Sequence, residues 1–247
     1  MSKSEMYFCK KEQEMKVVFD VGANNGASTE GYLQEKETYI YAFEPNPVLF
    51  EDLQKKYENH PHYKVFQYAV ADREGTMNFY LAGARNPEEP SHHIEGETNW
   101  GCSSLLPFSE TVHEAWPNRP DFQAFGAVQV DVTRLDTFVK KHNIERIDYV
   151  HIDAQGMDLR VLKSLGEKLS IVQEGVLEAP ADYSKRIYNG SHTAEEATLF
   201  LKESGFHISN IEKNDPEGNE VNIYFTRKHP EAEPEPEPET SSYCQIS

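Results

Sequence analysis

Val17-Val18-Phe19-Asp20-Val21-Gly22-Ala23-Asn24-Asn25-Gly26-Ala27-Ser28-Thr29-Glu30 reads as an apolar strand, a tight glycine turn and the first turn of a helix. That order brings backbone close to a nucleotide-like ligand. Eighteen residues after Gly26, a second apolar run from Tyr39 to Phe43 ends in Glu44. A carboxylate at the tip of the second strand is placed to accept hydrogen bonds from a ribose diol. Without Glu44, the same stretch would equally suit a plain strand-turn-helix connection, its glycine serving a positive φ and its aspartate bonded to local backbone.

The spacing of the turn narrows the ligand. Turns that bind a pyrophosphate run G-x-G-x-x-G, so that the anion rests on a helix N-terminus. Here the pattern is D-x-G-x-x-x-G, with Asp20 entering the turn. Asp20 would repel an anion and favour an amine. A ligand with ribose at one end and an ammonium at the other fits S-adenosylmethionine better than NAD. A nicotinamide-dependent oxidoreductase is weakened by the missing third glycine.

The chain has 247 residues, 38% of them apolar, with 13 Phe and 13 Tyr, enough to bury the core of one α/β domain. No apolar stretch approaches the length of a membrane span, and the polar segment from Met1 to Met15 does not resemble a cleaved leader. Cys9, Cys102 and Cys244 are scattered, with neither metal spacing nor a disulfide framework, which points to a reducing, cytoplasmic compartment. Net charge is −18, and the tail from His229 onward carries only five of the 42 acidic residues, so the body is acidic too. That argues against nucleic-acid or anionic-membrane partners and leaves a small molecule or glycan as the acceptor.

Strand and helix patterns alternate from Lys16 onward, as in a helix-covered, mostly parallel sheet. Strands are predicted near 16–21, 38–44, 64–70, 147–152, 171–177, 206–211 and 220–226, and helices near 28–36, 47–58, 133–142, 157–166 and 193–204. The last two strands form an antiparallel hairpin. Seven strands, mostly parallel, ending in such a hairpin are the layout of the Rossmann-like class I methyltransferase fold, by analogy. The domain is expected to span 16–228, after an extension over 1–15. Within it, 83–125 is an irregular insertion carrying Trp100 and Trp116, expected either to cover the substrate or to form a surface excursion with its own apolar cluster. Residues 229–247 are a solvated Glu-Pro tail. It ends in Cys244-Gln245-Ile246-Ser247, a loose prenylation pattern that would give at most a weak lipid anchor at Cys244.

A second chemical cluster runs from Ile147 to Asp158. Strand alternation puts His151 and Asp153 on one face at the carboxyl tip, where open α/β sheets place ligands. Asp153 can orient or deprotonate a hydroxyl, or cap the following helix. His151 can accept a proton or serve as a hydrogen-bonded core histidine. Glu178 ends the next strand and points into the same crevice, or is an ordinary strand-end glutamate. With Asp153 and Asp158 it could make a Mg²⁺ site, although nothing in the spacing demands a metal. The His92-His93 pair lacks further ligands at metal spacing.

VFDVGANNGAST at 18–29, YAFEPNPVLFEDL at 41–53, SSLLP at 103–107 with VTRLDTF at 132–138, and HIDAQGMDLRVLKSL at 151–165 together resemble the FkbM family of S-adenosylmethionine-dependent methyltransferases. The resemblance implies methyl transfer to a hydroxyl, often of a sugar or polyketide-type metabolite. It implies cofactor contacts at Asp20, Gly22, Asn24, Gly26 and Glu44, with Ala69 and Ser104 as neighbours. The family's run after the fourth strand is close to K-I-D-x-E-G-x-E, and here His151, Gln155 and Asp158 stand in place of the lysine and two glutamates. Weight therefore shifts to Asp153 and His151 as the catalytic pair. The replaced glutamates also leave open a non-catalytic module that keeps the scaffold and binds the cofactor or a partner.

Overall fold

The computed structural model describes residues 15–35, 37–83 and 100–227. The extension before Met15, the His92-His93 pair, the Glu-Pro tail and Cys244 lie outside these residues.

Five parallel strands carry the fold: β1 (Lys16–Val21), β2 (Thr38–Phe43), β3 (Tyr63–Phe66), β7 (Ile147–Ile152) and β8 (Val172–Pro180). With β9 (Phe206–Lys213) and β10 (Glu220–Arg227) they form a seven-stranded sheet in the order β3-β2-β1-β7-β8-β10-β9. β10 runs antiparallel to both of its neighbours, closing the sheet with the expected hairpin. Strand order reverses between β1 and β7, which pair from Val18↔Tyr149 to Val21↔Ile152. Such a reversal leaves a crevice at the carboxyl ends of the strands.

Alternation along β1 explains why both faces are covered. Val18 joins Ile40, Ala42, Leu53 and Tyr57 under helix α2 (Pro47–Tyr57), after the short helix α1 (Ala27–Glu30). Phe19 and Val21 turn the other way into the main core, with Phe43, Phe138 and Ile152. A sheet buried on both sides is the usual setting for parallel strands. Asn46 starts α2 by accepting from the Val48 amide at 3.0 Å, with Pro47 next to it in the first turn, where a missing N–H costs nothing.

Two expectations change. The strand predicted over 64–70 is broken by a turn in which the Tyr68 amide donates to the Phe66 carbonyl. Only Tyr63–Phe66 joins the main sheet. Ala69–Val70 (β4) pairs with β6 (Ala124–Thr133) in a second sheet of order β4-β6-β5, where β5 is Gly75–Ala82. The helix predicted over 28–36 shortens to α1 and a 3₁₀ turn over Gly31–Gln34.

The described part of the insertion is built into the domain. Helix α3 (Val112–Ala115) contributes Val112 to the main core, and Leu105, Leu106, Trp116 and Phe122 join the same core rather than a cluster of their own. The Trp116 indole donates to the Lys185 carbonyl at 3.2 Å. Helices α4 (Leu135–Lys141), α5 (Asp158–Lys163) and α6 (Ala194–Glu203) complete the layers. Among the described residues, no helix is long and apolar enough to cross a membrane.

Candidate active site

A cleft opens at the carboxyl ends of β1, β2 and β7, where open α/β sheets place their ligands. Gly22, Asn24, Glu44 and Asp153 give it polar walls, and Pro45, Leu49, Ala69, Phe79 and Trp100 give it apolar ones.

Gly22 holds its φ at +82°, and a Cβ there would lie 1.8 Å from the Asp153 carbonyl oxygen. The space a side chain would need is taken by the chain itself, where β7 leaves the sheet beside β1, while Gly22 still lines the cleft. The Asp153 amide donates to the Val21 carbonyl at 2.9 Å, so the first loop and Asp153 are joined through main chain.

Glu44 is buried with 4% exposure. Its Oε2 accepts from the Asn24 amide at 2.7 Å and its Oε1 from the Asn46 amide at 2.8 Å. Each carboxylate oxygen has two acceptor sites, so one per oxygen remains for a diol. Burial pushes the Glu44 carboxyl up to about 7, against the pull of the two amides.

Asp20 does not line the cleft. Its register partner on β7 is His151, so the two side chains meet on one face of the sheet. Asp20 Oδ1 lies 3.1 Å from His151 Nδ1, and Oδ2 accepts from the Thr29 hydroxyl at 2.6 Å. With 1% exposure, this carboxylate is turned to neighbours inside the protein. Burial disfavours the His151 imidazolium, but the hydrogen bond and charge of Asp20 outweigh it and raise the histidine above its ordinary value. Gly26 also stands behind the wall: a Cβ there would meet the Tyr63 hydroxyl at 2.9 Å and Tyr57 at 3.0 Å, so it serves packing. Ser104 is buried, donating from Oγ to the Gln155 carbonyl at 2.7 Å, while its neighbour Ser103 faces the cleft.

Asp153 reaches the cleft wall and is surrounded by acids. Burial raises its carboxyl, and His151 and a hydrogen bond from Gln155 Nε2 oppose the rise. Asp158 caps the loop before its own helix, accepting from the amides of Ala154, Gly156 and Glu178. Burial pushes it to about 8, with the charge of Asp153 adding to the rise. Glu178 accepts from Asn214 Nδ2 at 2.9 Å and is pushed by burial, then by Asp153, Glu220 and Asp158, to about 10. It does not line the cleft. Among the described residues, no group of three or more His, Cys, Asp or Glu is arranged to hold a metal ion; the carboxylates of Asp153, Asp158 and Glu178 each turn to a different partner.

The structure therefore brings Gly22, Asn24, Glu44, Ala69 and Asp153 to one cleft and leaves Asp20, Gly26, Ser104, His151 and Glu178 outside its lining. Sequence reasoning missed Glu220, pushed to about 7 by burial and then by Asp153, and the buried phenol Tyr188. Tyr188 lies 86 residues from Cys102 and 33 from Gln155, its hydrogen-bond partners, so no local pattern could announce it.

Comparison with known proteins bears on this cleft. The pattern of the Methyltransferase FkbM domain matches residues 20–208. A curated relative, Methyltransferase 1 of Beauveria bassiana (strain ARSEF 2860), is 27% identical over 158 residues, covering 61% of this chain but only 59% of its own length. Methyltransferase sdnD of Sordaria araneosa is 26% identical over 78% of this chain and 74% of its own. Among solved structures, an Aeropyrum pernix fibrillarin with natively bound S-adenosyl-L-methionine superposes with a TM-score of 0.44 at 11% identity, over 86% of this chain and 66% of that one.

Proposed function

The chain belongs to the FkbM family of S-adenosylmethionine-dependent methyltransferases, and from that premise we propose that its acceptor atom is a hydroxyl oxygen of a sugar or small metabolite. The observation that carries the reading is Asp153. It is the carboxylate on the cleft wall opposite the Glu44 end, fixed to the first loop by main chain.

The donor set suits the cofactor. Glu44 keeps two free acceptor positions for a ribose diol, Pro45, Leu49 and Ala69 offer an apolar wall, and Asp153 supplies negative charge near a cationic group. When bound, the cofactor supplies an electrophilic methyl group on a positively charged sulfur. The protein's part is to hold the acceptor oxygen in line with that methyl and to take its proton. Asp153 would do both: its carboxylate would accept the acceptor's hydroxyl hydrogen bond and take up the hydroxyl proton. His151, held by Asp20 behind the wall, stabilises the ionised form of Asp153 through its charge. Glu178 contributes as a neutral carboxylic acid that adds no further negative charge at pH 7. Trp100 and Gly101 line the cleft, which supports a reading of this stretch as part of a substrate cover.

A tritiated-methyl transfer screen over sugars and hydroxylated metabolites tests the acceptor class, with label recovered as a base-stable methyl ether as the expected result. Label on nitrogen or carbon only would overturn the reading.

A further inference from the structure

We propose that Gln155 and Tyr188 are positioning residues that orient the Asp153 carboxylate, through a relay that runs from the insertion to the cleft wall. This inference rests on the proposed role of Asp153.

Three observations define the relay. Gln155 holds φ at +50°, a conformation a non-glycine residue rarely adopts without a reason. There its side-chain amide lies between two groups, Nε2 donating to Asp153 Oδ1 and Oε1 accepting from the Tyr188 hydroxyl at 2.6 Å. The same hydroxyl lies 2.6 Å from the Cys102 carbonyl, in the 3₁₀ turn Trp100–Cys102 that lines the cleft. Ser104 holds the Gln155 carbonyl from below, and Tyr188 and Ser191 fill the space beside Gly156, leaving no room for a side chain there.

The direction of the relay follows from donor chemistry. A carboxamide can present either its NH₂ or its oxygen to Asp153. An ionised Asp153 can only accept, so it takes the NH₂ group and leaves Oε1 toward the Tyr188 hydroxyl, kept protonated by burial, whose one proton is shared between Gln155 Oε1 and the Cys102 carbonyl. With Oε1 engaged in this way the NH₂ group stays on Asp153, where it supports the ionised carboxylate a base requires. A glutamate in place of Gln155 would set two acids against each other.

The groups facing Asp153 all bear on its protonation. Asp20 on β1 and Glu44 after β2 are acids whose charge favours the protonated form, and Asp158 on α5, Glu178 on β8 and Glu220 on β10, each pushed up by burial, add to this only as they ionise. His151 on β7 opposes them. The Cys102 thiol, held neutral by burial, closes the insertion side. Against this field the Gln155 donor is, after His151, the second group that favours the ionised carboxylate.

The test follows the Asp153 carboxyl by ¹³C NMR in the full chain saturated with S-adenosylhomocysteine, its resonance assigned with Asp153→Asn. Tyr188→Phe removes only a hydroxyl, and Gln155→Met keeps the bulk without the amide, so one variant serves if the other does not fold. Each should raise the titration midpoint by about one pH unit. The double variant should go no further than the larger single, because both act on one relay. An unmoved midpoint in a folded variant, or additive shifts, would overturn the proposal. Shifted midpoints together with undiminished methyl transfer in Asp153→Asn would leave the relay standing and remove its catalytic meaning. The reverse pattern would do the opposite.

Discussion

At the β1–β2 end of the cleft one carboxylate, Glu44, is gripped by two main-chain amides within two short loops. At the β7–β8 end Asp153 is held by Gln155 and Tyr188 and set in a field of acids from four other strands or helices. The first end is built from sequence neighbours and backbone, the second from side chains that meet only after folding. The two can therefore be perturbed separately, except where Gly22 and Asp153 touch.

That contact is where the largest effect is expected. Gly22→Ala must lift its Cβ off the Asp153 carbonyl at a φ that L-residues resist, at a cost of about 3–5 kcal/mol. Both ends should fail together, seen as loss of cooperative melting and of S-adenosylhomocysteine binding. A stable Gly22→Ala protein would show that the ends are not joined.

Asp153→Asn should separate them. With the acceptor found by the screen, turnover should fall by about 10²–10³, while calorimetry gives an unchanged affinity for S-adenosylhomocysteine. Glu44→Gln should do the converse, weakening that affinity by about tenfold to a hundredfold, the value of a charge-assisted hydrogen bond. The remaining turnover at saturation should be near normal.

Acidity sharpens the contrast further. Glu44 binds a diol best when ionised and titrates at about 7, so affinity for S-adenosylhomocysteine should drop by up to about tenfold from pH 8 to pH 6. Glu44→Gln should flatten the profile. The smallest effect concerns stability at the other end. Glu178 at about 10, Asp158 at about 8 and Glu220 at about 7 all bind protons more tightly folded than unfolded. Their stabilising contribution is complete below the unfolded carboxylate range and is lost as pH rises through these values. The melting temperature should therefore fall by several degrees between pH 6 and pH 9, and Glu178→Gln should remove much of that fall.

The same contrast explains what could be read in advance. β1, its turn, β2 and Glu44 lie within thirty residues and announce themselves by apolar runs, a glycine and a terminal acid. The closing hairpin, too, is local. The break at Tyr68 was hidden because Ala69 and Val70 are as apolar as Val65 and Phe66, and only their pairing with Val132 and Thr133 separates them. The sequence shows the position of Asp20 in the turn but not its neighbour across the sheet, His151. Tyr188 and Glu220 enter from a loop and an antiparallel strand far along the chain, and no spacing rule links them to Asp153.

The missing side chain at Gly22 acts as a gauge. Since main chain meets main chain there with no room for a Cβ, the span from the first loop to Asp153 is set by backbone contact rather than by adjustable side-chain packing. Acceptors of differing bulk must then be accommodated on the opposite wall, around Trp100, and a change of substrate should be sought there before anywhere on the first loop.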